Sequence, residues 1–275
     1  MTTESEKPTP PEVYERVLVP AVLQALSRRV VDLAAPREGE SVLDLACGTG
    51  IVARTVAPIV GAAGSVVGID VLPPMLAVAR SVPAPDGASI EWREGDATAL
   101  DLSDSSFDLV ICQQGLQFFP DREATASEVL RVLAPGGRFV AAVWQGIDRQ
   151  PFWEAFTEVE AANLAPLGLT RDDVTLPFSW GDPDALRRLL TEAGFDPIEL
   201  STTTIEANFA AETFAQDIEY PYGALVPEFL ADPHAFASYV DAVREGSRDV
   251  LNRYRRDDRI VFETPANLVL ARRPS

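Results

Sequence analysis

Basic residues are scarce in this chain of 275 residues, and their scarcity argues against one class of partner. Asp and Glu together number 42 against 23 Lys and Arg, which gives a formal net charge of −19. A protein that binds DNA or RNA gains its affinity by neutralising phosphates with Lys and Arg. The densest basic cluster, around Arg253, Arg255 and Arg256, is followed at once by Asp257 and Asp258. Nucleic acid is therefore not expected as a partner.

Histidine, cysteine and long apolar runs are also rare or missing. The one histidine is His234, and the cysteines, Cys47 and Cys112, do not have the spacing of a metal site. We expect no metal, and two packed free thiols fit a reducing cytoplasm. No apolar run approaches the roughly 20 residues that a membrane span needs. The polar, proline-rich residues 1–10 predict a disordered lead and not a signal peptide.

Apolar strands and helical segments alternate from residue 41 to residue 144. This alternation is typical of parallel βαβ units with right-handed crossovers. The strand at 107–112 is almost continuously apolar, as expected for a sheet that is covered on both faces. The predicted strands are 41–45, 65–69, 89–93, 107–112 and 138–144, and the predicted helices between them are 51–57, 73–80 and 122–133.

The pattern is less regular on either side of this region. Residues 11–35 predict two short helices, with Pro20 in the first turn of the second. We expect a single domain over 11–275, with a cofactor-binding half at 36–145. Beyond it we expect a helix at 151–163, a helix capped by Asp182 and ended by Gly194, strands at 198–207 and 259–271 with an interruption at Pro265, and cap insertions at about 146–181 and 209–256.

Residues 42–50, with the sequence VLDLACGTG, form a strand that runs into a glycine-rich turn before a helix. Glycine lets a backbone approach a ligand closely, and the free N–H groups of a helix N-terminus favour an anion. Residues 48–53 also satisfy the dinucleotide pattern G-x-G-x-x-G/A. Asp70 follows about 20 residues later, where an acid that binds the NAD ribose would stand. A nicotinamide cofactor is therefore one interpretation of this turn.

Further motifs follow this turn in a fixed order. They are Asp70 at the end of the second strand, Gly95, Asp96 and Ala97 after the third, Asp108 in the fourth, and residues 130–138 before the fifth. With Asp44, Gly48 and Gly50 they resemble the class I S-adenosylmethionine-dependent methyltransferases, particularly the ubiquinone/menaquinone C-methyltransferase-like group. The resemblance implies an α/β fold with a doubly wound, mostly parallel, seven-stranded sheet of Rossmann-like type and helical cap insertions.

The resemblance also implies S-adenosylmethionine as the cofactor. The glycine-rich turn would surround its amino-acid end, Asp70 would accept from the ribose hydroxyls, and Asp96 with Ala97 would bind the adenine. Asp108 and the turn at 135–137 are expected to be structural. The implied cofactor contacts are Tyr14, Asp44, Ala46, Gly48, Thr49, Gly50, Asp70, Val71, Met75, Asp96, Ala97 and Gln113.

Residues usual for hydride transfer are missing. The one lysine, Lys7, lies in the predicted lead, which excludes a Tyr-x-x-x-Lys dehydrogenase pair, and His234 is far from the cofactor half in sequence. We therefore expect a methyltransferase. An NAD-dependent oxidoreductase, an eroded site without activity and a fold-mate that binds S-adenosylmethionine without methylating stay open as alternatives.

The acceptor is expected to be a small molecule. Residues 113–120 carry no Asp/Asn-Pro-Pro-Tyr signature of base-amine methyltransferases, and they should line the site. Aromatic residues in the caps favour an apolar acceptor that is methylated at oxygen or carbon. The expected pocket residues are Gln117, Trp144, Tyr220 and His234, with His234 a candidate base. No catalytic residue, acceptor or oligomeric state follows from the sequence.

Overall fold

A computed structural model describes residues 8–223, 229 and 232–275 of the chain. Its strands are β1 (Ser41–Leu45), β2 (Ser65–Asp70), β3 (Ile90–Glu94), β4 (Phe107–Gln113), β5 (Leu133–Trp144), β6 (Ile198–Ala210), β7 (Arg255–Arg256) and β8 (Arg259–Arg272). They form one sheet in the order β3-β2-β1-β4-β5-β8-β6, and the two-residue β7 pairs with β8. Strands β1 to β5 pair in parallel, whereas β8 is antiparallel to β5 and β6. The predicted doubly wound, mostly parallel sheet is confirmed.

Helices cover both faces of this sheet. They are α1 (Pro10–Val13), α2 (Gln24–Ala34), α3 (Ile51–Val60), α4 (Pro73–Ser81), α5 (Arg122–Val132), α6 (Pro151–Leu164), α7 (Arg171–Thr175), α8 (Pro183–Ala193), α9 (Phe214–Gly223), α10 (Pro233–Gly246) and α11 (Arg248–Tyr254). Successive strand residues point to opposite faces. Val42 and Leu109 therefore pack into one apolar core and Leu43 and Val110 into the other, each fully buried.

The N-terminal helical region differs from the prediction. Two short helices with Pro20 in the first turn of the second were expected, but one helical rod runs from Pro10 to Ala34. Pro20 lies inside a π-helical segment, Tyr14–Leu23, between α1 and α2. Proline has no N–H and clashes with the carbonyl four residues earlier in an α-helix. The wider turn of the π-helix accommodates that ring without ending the helix.

Two further prolines, Pro135 and Pro265, lie inside strands. The residues 135–137, expected as a turn before the fifth strand, belong to β5, where Gly136 has a φ of +75° and donates to the carbonyl of Arg273. Pro265 does not interrupt β8, because it pairs with Thr204 of β6 just beyond the point where β5 ends at Trp144. Proline is tolerated there because one side of the strand no longer needs an N–H donor.

The two insertions contain most of the remaining helices. Helices α6 and α7 lie between β5 and α8, and α9 to α11 lie between β6 and β8, with α10 packed on both α6 and α9. Residues 1–7 of the predicted lead at 1–10 lie outside the described residues. Helix α1 begins at Pro10, the last residue of that lead. No helix in the described part of the chain is long and apolar enough to span a membrane.

Candidate active site

The turn between β1 and α3 has a left-handed backbone at several positions. Ala46, Gly48 and Gly50 have φ values of 55°, 55° and 90°. The two glycines have different structural roles. A Cβ on Gly48 would have no atom within 4 Å, whereas a Cβ on Gly50 would lie 2.2 Å from the Trp92 ring. Gly48 therefore leaves open space above the turn, and Gly50 is needed for packing inside it.

Asp44 lies beneath this turn and is 1% exposed. Its Oδ2 accepts a hydrogen bond from the backbone N–H of Ala53 over 2.9 Å, which fastens β1 to the first turn of α3. Burial raises the pKa of Asp44 to about 7, and the nearby charge of Asp70 acts in the same direction. The structure thus shows Asp44 as an anchor of the turn.

Asp70 ends β2 at the same edge of the sheet and is 8% exposed. Its Oδ2 accepts from the N–H of Gly48 over 2.8 Å and its Oδ1 from the N–H of Leu72 over 2.9 Å. Burial raises the pKa of this carboxyl. Each carboxylate oxygen can accept more than one hydrogen bond, so Asp70 keeps capacity for ligand hydroxyls. Val71, next in the chain, is 61% exposed and offers an apolar surface.

The remaining implied adenosine contacts follow β2 and β3. Met75 is half-buried on α4, Asp96 is exposed after β3, and Ala97 is buried. Oδ1 of Asp96 accepts from both the N–H and the hydroxyl of Thr98 over 2.8 Å, which lowers its pKa. Asp96 is therefore an ionised acceptor at the surface of this edge.

The N-terminal rod is tied to the glycine-rich turn. Arg54 of α3 pairs with Glu15 over 2.6 Å and donates to the carbonyl of Thr49. Gln113, at the end of β4, donates through Nε2 to the carbonyl of Leu23 over 3.3 Å. Among the described residues, the buried Oε1 of Gln113 and Oγ1 of Thr49 have no hydrogen-bond partner. Unpaired buried polar atoms at a binding edge fit a ligand that carries amino and carboxylate groups.

A cavity of about 310 Å³ lies between this edge and the caps. Two of the four predicted pocket residues, Gln117 and Trp144, line it, and so does Tyr14. The other residues that line it are Leu18, Val22, Leu23, Gln114, Phe118, Trp153, Thr157, Glu160, Leu164, Leu169, Asp173, Val174, Pro177, Phe178, Phe209, Ile218, Glu219, Phe229 and Tyr239.

Tyr220 and His234 do not line this cavity, contrary to the prediction. The Tyr220 hydroxyl donates to the carbonyl of Pro8 over 2.8 Å, and its ring packs on Phe236. His234 is exposed in the first turn of α10, where its N–H donates to the Asp232 cap. Residue type alone suggested both for the pocket, but the helix faces direct them elsewhere.

The loop after β4 forms one wall of the cavity. Arg122 donates to the carbonyls of Leu116 and Gln117, each over 2.8 Å, and its guanidinium lies 4.7 Å from the centre of the Trp180 ring. Gln117 is buried and donates to Oε1 of Gln114 over 2.7 Å. The loop is thus held rigidly from both sides.

Five polar cavity residues were missed from sequence: Thr157, Glu160, Asp173, Glu219 and Tyr239. A signal for Glu160 was present, because it follows Phe152 and Phe156 at four-residue spacing on the buried face of α6. A charged residue on the apolar face of an amphipathic helix is unusual and deserves consideration as a site residue.

The sheet order and the site at its carboxyl edge define a class I S-adenosylmethionine-dependent methyltransferase. Residues 42–137 match the family model described as "Methyltransferase domain". A Bacillus halodurans C-125 protein whose crystal structure is described as that of a methyltransferase has the same fold, with a TM-score of 0.58 and 22% identity over 90% of this chain and 99% of that chain.

The relatives with a known name show which group of methyltransferases the chain is most similar to. The demethylmenaquinone methyltransferase of Thermus thermophilus is 44% identical over 113 residues, which are 41% of this chain and 51% of that protein. That of Lactococcus lactis is 33% identical over 171 residues, 58% of this chain and 68% of that protein. The chain thus spans about half the length of the first relative and two thirds of the second. It belongs to the class I methyltransferases of the quinone C-methyltransferase type, the family expected from its motifs.

This membership settles the choice of cofactor between the two interpretations of the glycine-rich turn. The family cofactor is S-adenosylmethionine, and the residues present fit it, as the open space over Gly48 and the unpaired buried atoms of Thr49 and Gln113 indicate. The nicotinamide alternative is not favoured.

Proposed function

We propose that the chain transfers the methyl group of S-adenosylmethionine to a small, apolar acceptor, at an oxygen or carbon atom, inside the cavity of about 310 Å³. One observation carries this proposal: the loop after β4 serves both sites. Gln113 ends the strand at the cofactor edge, and the next residue, Gln114, lines the cavity. The two sites are therefore adjacent, as an in-line transfer requires.

The twelve implied cofactor contacts remain part of this proposal. When bound, the cofactor supplies a methyl group on a positively charged sulfonium. The protein binds and orients it: Asp70 accepts from the ribose hydroxyls, Val71 and Met75 pack on the adenine, and Asp96 accepts from its amino group. Asp44 keeps the glycine-rich turn in place. Tyr14 and the π-helical segment exclude water from the cavity, which favours methyl transfer over side reactions.

The apolar lining supports the acceptor class. Aromatic rings such as Trp144, Trp153 and Phe178, together with aliphatic side chains, make up most of the walls. Pockets of this kind bind apolar compounds and use a few polar groups for orientation. The names of the demethylmenaquinone methyltransferases of Thermus and Lactococcus refer to a compound of this class.

Calorimetric titration with S-adenosylmethionine, S-adenosylhomocysteine and NAD tests the cofactor site. We expect both sulfur ligands to bind in the micromolar range, and Asp70→Asn to weaken them by about tenfold or more, because it removes charge-assisted hydrogen bonds. The control is Asp86→Asn, an exposed acid between α4 and β3. Binding of NAD alone would contradict the proposal. Formation of S-adenosylhomocysteine with an acceptor separates methylation from binding without methylation.

A further inference from the structure

Two carboxyl groups from different cap helices meet in the acceptor cavity. Glu160 of α6 and Glu219 of α9 both line it, are 6% and 2% exposed, and lie close enough for each to shift the pKa of the other. The buried Oε1 of Glu219 has no hydrogen-bond partner among the described residues. Tyr239 of α10 donates its hydroxyl to Oε2 of Glu219 over 2.7 Å. We call Glu160 and Glu219 the acid pair.

The acid pair shares one proton and one negative charge, because two adjacent buried carboxyl groups do not both ionise. Burial and the adjacent Glu219 raise the pKa of Glu160 well above its usual range, which favours the protonated form of Glu160. Burial also raises the pKa of Glu219, whereas the adjacent Glu160 and the hydroxyl of Tyr239 lower it. Because the Tyr239 hydroxyl donates to Glu219, the negative charge of the pair is favoured on Glu219.

The described residues that line the cavity offer this charge no cationic partner. Among these described residues there is no Lys, Arg or His. A structural role alone does not account for the acid pair, since apolar side chains of similar volume would hold α6, α9 and α10 together at least as well. A charged hydrogen-bond acceptor in a mostly apolar pocket is instead the arrangement that orients a ligand.

We propose that the acid pair recognises a hydroxyl group of the methyl acceptor, which donates its hydrogen bond to the Glu219 carboxylate. This inference rests on the proposed function and narrows the acceptor to apolar ring compounds with a free phenolic or enolic hydroxyl. A hydroxyl fits better than an ammonium group, because a cationic acceptor would be repelled by the positive sulfonium in the adjacent site. The apolar walls then hold the ring, and Glu219 fixes its orientation.

Three bicyclic probes that differ in one group test this recognition: 2-naphthol, 2-methoxynaphthalene and 2-(aminomethyl)naphthalene. Each is titrated into protein saturated with sinefungin, an analogue of S-adenosylmethionine that carries a protonated amine in place of the sulfonium. We expect 2-naphthol to bind about tenfold or more tightly than its methyl ether, as for a hydrogen bond to a charged group. Glu219→Gln removes this preference and leaves the affinity for the ether unchanged. Glu160→Gln keeps it, since the Glu219 carboxylate and its hydrogen bond from Tyr239 remain.

Glu158→Gln is the matched control, because it removes the same charge from an exposed position on α6, where Glu158 pairs with Arg171. It should keep the preference for 2-naphthol. Failure of 2-naphthol to bind, equal affinities of naphthol and ether in the parent protein, or tightest binding of the amine overturns the inference without any variant. An unchanged preference in Glu219→Gln overturns it as well. Absence of S-adenosylhomocysteine binding in the first titration would instead contradict the proposed function.

Discussion

At the scale of residues, two buried acids hold the backbone of the glycine-rich turn in place. Asp44 holds the glycine-rich turn from below, and Asp70 holds it from the side through the N–H of Gly48. Both lie at the ends of parallel strands, where their carboxyl groups are buried and their pKa values are raised. Two buried carboxyl groups with raised pKa values therefore lie where the backbone of the glycine-rich turn is held in position. Groups with perturbed pKa values are common at functional sites.

Asp44→Asn should stabilise the protein without cofactor at alkaline pH. The unfolded chain loses the Asp44 proton near pH 4, whereas the folded protein keeps it to about pH 7. Between these values the folded state binds more protons, so the parent loses stability as pH rises. The asparagine oxygen still accepts from Ala53. We expect the variant to gain about 2–3 kcal/mol relative to the parent between pH 5 and pH 8.

Urea unfolding of both proteins at the two pH values measures this difference. Asp86→Asn is the control, because it removes one negative charge from an exposed position. A gain of Asp44→Asn that is the same at pH 5 and pH 8 would mean that Asp44 titrates normally in the folded protein.

At the scale of elements, the π-helical segment connects the N-terminal rod to both sites. Glu15 pairs with Arg54 above the glycine-rich turn, Tyr14 lines the cavity, and the carbonyl of Leu23 accepts from Gln113. Segments with π-helical geometry are frequent at functional sites. Two consecutive residues of this segment, Tyr14 and Glu15, therefore lie against the cavity and beside the glycine-rich turn.

Glu15→Gln should weaken cofactor binding more than it weakens the fold. The Glu15–Arg54 pair is largely buried, so its loss loosens the rod over the glycine-rich turn. We expect the affinity for S-adenosylhomocysteine to fall by roughly three- to tenfold, which corresponds to about 1 kcal/mol. Calorimetry measures the affinity. Glu12→Gln on α1 is the control, because glutamine preserves the capping box with Thr9. Equal effects of the two variants would exclude a role for the Glu15 pair in binding.

Local signals allowed many elements to be predicted, and long-range packing explains the failures. Helix α8 begins at Pro183 and ends at Ala193 because Asp182 caps it and Gly194 adopts a left-handed φ of 101°, all readable from sequence. Tyr220 was assigned to the pocket by residue type, but its direction depends on how α9 packs. The Glu160–Glu219 contact depends on two insertions meeting in space, which periodicity within one segment does not reveal.

At the scale of the whole molecule, the excess of acids has a consequence for stability. A net charge of −19 on 275 residues makes the compact state repel itself. Most ion pairs, such as Arg244 with Asp241 and Arg248 with Glu245, are exposed and contribute little. Screening by salt should therefore remove more repulsion than attraction.

We accordingly expect the melting temperature of the cofactor-free protein to rise when potassium chloride increases from 10 to 300 mM, as the Debye length falls from about 30 Å to below 8 Å. The buried pair of Arg138 with Glu40 is screened much less and should survive this change. Scanning calorimetry across the salt series measures the trend, and caesium chloride in place of potassium chloride should give the same curve. A melting temperature that falls with salt would mean that surface ion pairs, and not repulsion among the carboxylates, dominate the electrostatic energy of the fold.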